Sequence, residues 1–346
     1  MDRLFFHRVA ESLRGQQQRL LAWLREAPPS EKALRLGELP DDALQEHVRV
    51  LEGAIEKAES GELGRCTICH EHVEEHRLET NYSTSVCIDH LTGEERSRLE
   101  NELELSQKVQ RALLPQAVPD IPGWEMAAFS QPASIVGGDY FDFLKFRDGA
   151  HAFIIADVMG KGMPASLLMA SLQASLRIIL PEGDSPEEVL DRVNRLFCHN
   201  IHLTKFVTIV VLHLDPLTGQ VRYANAGHNP PLLMKHGTTD GGGPLALRPT
   251  GAAIGLVENS VFRREQTELH PGDTLLLYTD GVVEAAGENR QEFGEERLRA
   301  FSQGHFRLAP VEFLRRLRSE IRSFTHDHPL TDDTTVIVCR RTGTSG

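Results

Sequence analysis

HAFIIADVMGKGMPASLLMA, residues 151–170, carries the reading from which the fold follows: a short β-type apolar run ending on an aspartate, a glycine-bearing turn, then a helical stretch over about 163–180. Working outward, KFVTIVVLHLD (205–215), QVRYANAG (220–227), DTLLLYTD (273–280) and TTVIVCR (334–340) are further strand-like runs, punctuated by Gly, Pro and Asn turns. A second helical stretch, 186–201, directly follows the first, and another lies at 310–324. Strands that outnumber helices, with consecutive helices grouped, favour an α+β arrangement of stacked sheets flanked by helices over a βαβ wound sheet.

The aspartates of this region sit at strand ends beside turn formers. Asp139 follows Gly137-Gly138, Asp157 precedes Val158-Met159-Gly160, Asp280 precedes Gly281, and Asp332-Asp333 open the last run. Carboxylates grouped this way suit hard cations such as Mg²⁺ or Mn²⁺, which prefer oxygen and keep several waters. Glycine beside an aspartate lets the backbone approach such an ion and offer a carbonyl. Taken singly, each Asp-Gly pair is an ordinary turn. Their recurrence favours a site.

In order, VGGDYFDF (136–143), IIADVMGKGMPASLLMA (154–170), YANAGHNPPLL (223–233), LLLYTDGVVEA (275–285) and DDTTVIV (332–338) resemble the SpoIIE/RsbU branch of the metal-dependent protein phosphatase (PPM) family. The match extends upstream through LELSQKVQRALLPQAVPDIPGW (103–124), similar to the connector and entry strand preceding such catalytic domains. The resemblance implies the family's αββα sandwich, two stacked antiparallel sheets flanked by helices, and a serine/threonine phosphoprotein phosphatase holding two Mn²⁺ or Mg²⁺ ions. Asp157 would bridge them with the Val158 carbonyl nearby, Asp139 would hold the second, and Asp280 and Asp332 would complete the first. Asp333 is the alternative to Asp332, and Asp142 is either a support behind the ligands or a surface group. Two such cations acidify a water that attacks phosphorus in line, with no cysteine or serine nucleophile.

The sequence departs from the animal and plant branch of that family at Met159, where those proteins have a histidine two residues after the bridging aspartate. The nearby charged residue, Lys161, is open to two readings: a phosphate contact in catalysis, or a solvated loop cation. His228 in NAGHNPP reads as a structural hydrogen-bonding group at the turn before Pro230 and Pro231.

Residues 1–60 read as a helical hairpin with helices over 3–25 and 41–60. Residues 61–93 follow as a compact, loop-rich module, 94–115 as a connector helix stopped by Pro115, and 116–342 as the catalytic domain. Cys66-x-x-Cys69 and Cys87-x-x-His90 lie seventeen residues apart. Two tight turns supplying two ligands each suit a tetrahedral zinc site, with His70, His72 and His76 as competing ligands. The stretch from His47 to His90 resembles the TraR/DksA zinc-finger family, with His90 where its fourth cysteine usually stands, implying one structural Zn²⁺.

That second resemblance raises a role as an RNA polymerase accessory factor, although the hairpin tip, SEKALRLGELPDD (30–42), matches weakly. A noncatalytic scaffold is the other alternative, disfavoured by the retention of all four aspartates. The favoured substrate, by family resemblance, is a phosphorylated STAS-domain anti-anti-sigma factor in partner switching. Leu91, Leu99, Leu103, Val109 and Leu113 form a seam for either a homodimer or packing on the catalytic domain. The net charge of −13 argues against nonspecific nucleic-acid binding. No secretory signal and no membrane-spanning apolar run is expected, and the cysteines look like a metal site rather than a disulfide framework, so a cytoplasmic location is expected.

Overall fold

The computed structural model describes residues 3–26, 41–200, 206–237, 243–288, 291–326, 328 and 330–343. It divides into two compact units, Met1–Glu102 and Leu103–Gly346. In the first, α1 (Arg3–Glu26) and α2 (Asp41–Ser60) form the hairpin, and the short α3 (Glu75–Thr80) follows. Phe5, Phe6, Leu13, Leu51 and Ile55 share one apolar cluster with Leu63, Val73 and Leu78. The hairpin and the cysteine-bearing module therefore fold around a common core. Most of the proposed hairpin tip lies outside the described residues.

Helix α4 (Gly93–Leu113) carries the chain from the first unit into the second, and none of its residues is buried. At its end Leu114 packs against the apolar clusters of the second unit. Leu105 and Val109, at i and i+4, are 62% and 54% exposed.

The second unit contains β1 (Trp124–Gln131), β2 (Tyr140–Lys145), β3 (His151–Val158), β4 (Val207–Leu214), β5 (Gln220–Ala226), β6 (Leu232–Met234), β7 (Leu245–Ala246), β8 (Glu265–Glu268), β9 (Thr274–Tyr278) and β10 (Thr334–Arg341). One sheet runs β1-β10-β9-β6-β7 and the other β2-β3-β4-β5-β8, with neighbours antiparallel. Alternation along the strands explains the layers. In β3, Ala152, Ile154 and Ala156 face α5 (Met163–Ile179) and α6 (Pro186–Asn200), while Phe153 and Ile155 meet Leu275, Leu277 and Ile337 between the sheets. In β10, Val336 and Val338 face α7 (Gly294–His305) and α8 (Pro310–Thr325). Helix α7 was not expected, because it opens on Gly294 and buries few side chains, Leu298 and Phe301 among them.

One expectation needs correction. Residues Met163–Glu182 are, by length and composition, apolar enough to cross a bilayer, with mean hydropathy 1.4. Here Ala165, Met169, Leu172 and Leu176 spend that apolarity on the sheet, as a core helix does.

Candidate active site

The antiparallel register brings the aspartates to one end of the sandwich. Tyr140 pairs with Ala156, so Asp139 at the start of β2 lies beside Asp157 near the end of β3. Tyr278 pairs with Val336, so Asp280, just past β9, lies beside Asp332 and Asp333, just before β10. The two sheets are tied together at this end by Thr279, whose Oγ1 donates to Asp139 Oδ2 at 2.8 Å and accepts from the Thr335 amide at 2.9 Å.

Asp332 and Asp333 divide their work. The Asp333 carboxylate accepts from the Ala133 and Gly138 amides at 2.8 and 2.6 Å and is committed to shaping the loop that carries Asp139. Asp332 Oδ2 pairs with Lys161 Nζ at 2.8 Å, and Lys161 also donates to the Thr331 carbonyl. Lys161, 54% exposed, therefore holds one of the clustered carboxylates. Asp142 is buried and bound by the Tyr140 hydroxyl at 2.8 Å and Arg177 Nε at 2.9 Å, a support below the site and not a surface residue.

The electrostatics show a surplus of negative charge. Burial, then the charges of Asp280, Asp332, Asp333 and Glu284, push Asp157 up to about 7. Burial, Glu284 and Asp332 push Asp280 up to about 6, against a smaller pull from Lys161. Burial and Asp157 hold Asp139 well above the ordinary carboxylate range. Such mutual repulsion is what a bound cation relieves. The donor set therefore fits the oxygen-rich demand of Mg²⁺ or Mn²⁺.

The flanking glycines are also required by close packing within the site. A Cβ on Gly137 would strike the Asp333 carboxylate, one on Gly138 would lie 2.7 Å from the Val158 carbonyl, and one on Gly281 would strike the Asp333 carbonyl. They make room for other members of the site. His228 is buried and held neutral, its pKa lowered to about 4 by burial. Its Nδ1 meets Thr208 Oγ1 at 2.8 Å and its amide is bound by Asn225 Oδ1 at 2.8 Å, a structural role through partners other than the proline turn.

Sequence reasoning missed two groups. Glu284 lies one helical turn after Asp280, its amide bonded to the Asp280 carbonyl at 2.8 Å, and its charge acts on both Asp157 and Asp280. The i,i+4 spacing after the aspartate was the available signal. Gln110 of α4 makes two bonds to the backbone of one residue: Nε2 donates to the Gly137 carbonyl at 2.6 Å and Oε1 accepts from the Gly137 amide at 3.0 Å. With Gln107 Nε2 on the Ile135 carbonyl at 3.1 Å, the helix grips the loop leading into Asp139. A cavity of about 230 Å³ lies here, bordered by Gln110, Phe129, Asp139 and Asp333.

In the first unit the ligand atoms of Cys66, Cys69, Cys87 and His90 all lie within 4.8 Å of one another. Cys69 and Cys87 sulfurs are 3.8 Å apart, and Cys87 Sγ is 3.1 Å from His90 Nδ1. Zinc–sulfur bonds of about 2.3 Å at tetrahedral angles place sulfurs about 3.8 Å apart. The amides of Cys69 and Cys87 draw Cys66 down to about 6, whereas burial and the adjoining thiols push Cys87 up to about 11. Of the competing histidines, His72 instead packs against Phe6, with ring centres 5.3 Å apart.

Residues 147–342 match the family described as Stage II sporulation protein E (SpoIIE). The chain is 30% identical over 246 residues to the phosphoserine phosphatase RsbU of Bacillus subtilis, covering 70% of this chain and 71% of RsbU. Among solved structures, the SiaA-PP2C domain of Pseudomonas aeruginosa shares the fold with a TM-score of 0.63 at 22% identity, over 71% of this chain and 98% of that domain. The RsbU and RsbW domains of Rv1364c from Mycobacterium tuberculosis align with a TM-score of 0.55 at 29% identity, over 68% of this chain and 64% of that one.

Proposed function

The chain belongs to the SpoIIE family, and from that premise we propose that it is a metal-dependent serine/threonine phosphoprotein phosphatase. The observation that carries this reading is the carboxylate cluster itself. Asp139, Asp157, Asp280 and Asp332 come from two sheets to one end, and two of them are pushed up to about 7 and 6 by burial and mutual repulsion. Their pairing with a single cation among the described residues, Lys161, leaves most of that charge to be compensated.

Asp157 would sit between two Mn²⁺ or Mg²⁺ ions with the Val158 carbonyl beside it, Asp139 would serve one, and Asp280 and Asp332 the other. When bound, such cations offset charge on the phosphoryl oxygens and acidify water. The chain's own part is positioning. Thr279 fixes Asp139, Asp333 and Gln110 fix the loop before it, and Lys161 orients Asp332. Water adds to phosphorus as the bond to the seryl or threonyl oxygen breaks, and that oxygen leaves with a proton.

The favoured substrate is a phosphorylated STAS-domain protein of a partner-switching system, supported by the similarity to RsbU and to the RsbU domain of Rv1364c. Cys66, Cys69, Cys87 and His90 would hold one structural Zn²⁺, supported by their spacing. A homodimer through α4 is supported by the seam residue Val109, which is exposed, and light scattering reading a monomer at high concentration would remove it. The phosphatase reading is tested by release of phosphate from a phosphoserine protein in Mn²⁺ and in EDTA. Release in Mn²⁺ that stops in EDTA supports the reading, and release that continues in EDTA defeats it.

A further inference from the structure

Helix α8 carries four arginines in two different situations. Arg315 and Arg316 are both neutralised by Glu312, each with its Nε 2.7 Å from that carboxylate. Arg318 and Arg322, at i and i+4, have no carboxylate partner among the described residues. They border a cavity of about 390 Å³ that also takes in Phe129, Ile321, Leu330 and Thr334. The Arg318 guanidinium lies 4.0 Å from the centre of the Phe129 ring, which holds a charged head over an apolar wall. No described carboxylate lines this cavity, in a chain with 50 acidic and 37 basic residues.

Its place in the fold gives the cavity a use. Gln131 and Thr334 line it and pair with each other across β1 and β10. Thr334 directly follows Asp332-Asp333, so the cavity opens beside the carboxylate cluster. A phosphoprotein approaching that end meets a field dominated by Asp139, Asp157, Asp280, Asp332 and Glu284. Two guanidiniums with no carboxylate partner among the described residues reverse the sign locally, where complementary charge sets specificity and capture. At about 3.3–3.6 Å per extended residue, a residue only a few positions from the phosphoserine reaches from the cluster to this cavity.

We propose that the Arg318–Arg322 cavity docks an acidic segment of the phosphoprotein substrate, with an apolar side chain of that segment against Phe129, Ile321 and Leu330. The inference rests on the phosphatase reading and names the substrate feature that the site selects.

The test uses the full chain and fluorescent phosphoserine peptides carrying leucine and either glutamates or glutamines beside the phosphoserine, with anisotropy read in EDTA. The wild type is expected to bind the glutamate peptide about tenfold more tightly than the glutamine peptide, a preference that shrinks as salt is raised. Arg318→Ala with Arg322→Ala abolishes the preference. Because both side chains are exposed, the melting temperature and Mn²⁺-dependent hydrolysis of a small phosphate ester stay at wild-type values. Equal affinity for the two peptides in the wild type, or a preference that survives the double substitution, overturns the proposal. Small-ester turnover, read in parallel, fails only if the phosphatase reading fails.

Discussion

Two groups of ligand-type side chains in the molecule, one of cysteines and a histidine and one of carboxylates, are built in opposite ways. In the N-terminal unit three thiols and one imidazole converge within 4.8 Å of one another, a closed set of four that leaves no position for a substrate. At the end of the sandwich, carboxylates from two sheets gather in a more open setting, Asp157 and Asp280 being only partly buried and Glu284 exposed. Closed tetrahedral sets hold folds together, whereas open oxygen sets leave coordination positions for water and phosphate. The first site shares its unit with the hairpin core through Val73 and Leu78. The second is braced by Thr279, Asp333, Lys161 and Gln110.

The largest effect should come from the open site. Asp157→Asn, which keeps shape and removes charge, is expected to lower Mn²⁺-dependent turnover by about 10³-fold or more, measured with a small phosphate ester. Next, Cys87→Ser should loosen the first unit, seen as new proteolytic cleavage within residues 3–102, while small-ester turnover persists. If the open site lost its activity and the first unit stayed protease-resistant, the division of labour would be wrong.

The third prediction follows from protonation. Asp157 and Asp280 have folded-state pKa values raised to about 7 and 6, so between the unfolded carboxylate value and these the folded state binds more protons. In the metal-free protein their contribution to stability is present at low pH and lost as pH rises through about 6 to 7. The melting temperature should fall by roughly 2–4 °C per pH unit for each group in that window. Asp157→Asn should flatten the slope, and Mn²⁺ should reverse it. An equal slope in wild type and variant would contradict the assignment.

The smallest effect is expected at Gln110. Gln110→Ala removes two hydrogen bonds to Gly137 and should raise the Mn²⁺ concentration for half-maximal turnover about three- to tenfold, with saturated turnover near wild type. An unchanged metal requirement would confine Gln110 to stabilising the loop.

The strands and their terminal aspartates were legible because β periodicity and Asp-Gly punctuation are local properties of the chain. The pairing of the cysteine turns was legible for the same reason. What stayed hidden depends on the third dimension. Nothing in a polar helix marks Gln110 among its neighbours, and Glu284 looks like any exposed glutamate until the turn after Asp280 aims its charge at the cluster. That Gly137 and Gly138 also make room for Asp333 and the Val158 carbonyl was not legible, because Asp333 lies 195 residues beyond Gly138 in sequence. The shared core of hairpin and cysteine module was equally invisible, because neither segment alone shows which apolar face meets the other.

The most direct test of the central claim is calorimetric titration of Mn²⁺ into the metal-free full chain and its Asp157→Asn variant, with small-ester turnover measured over the same concentrations. The account predicts Mn²⁺ binding by the wild type, turnover rising in step with occupancy, and loss of both in the variant. Turnover that is indifferent to Mn²⁺ and EDTA, or Mn²⁺ binding that survives Asp157→Asn unchanged, would contradict it.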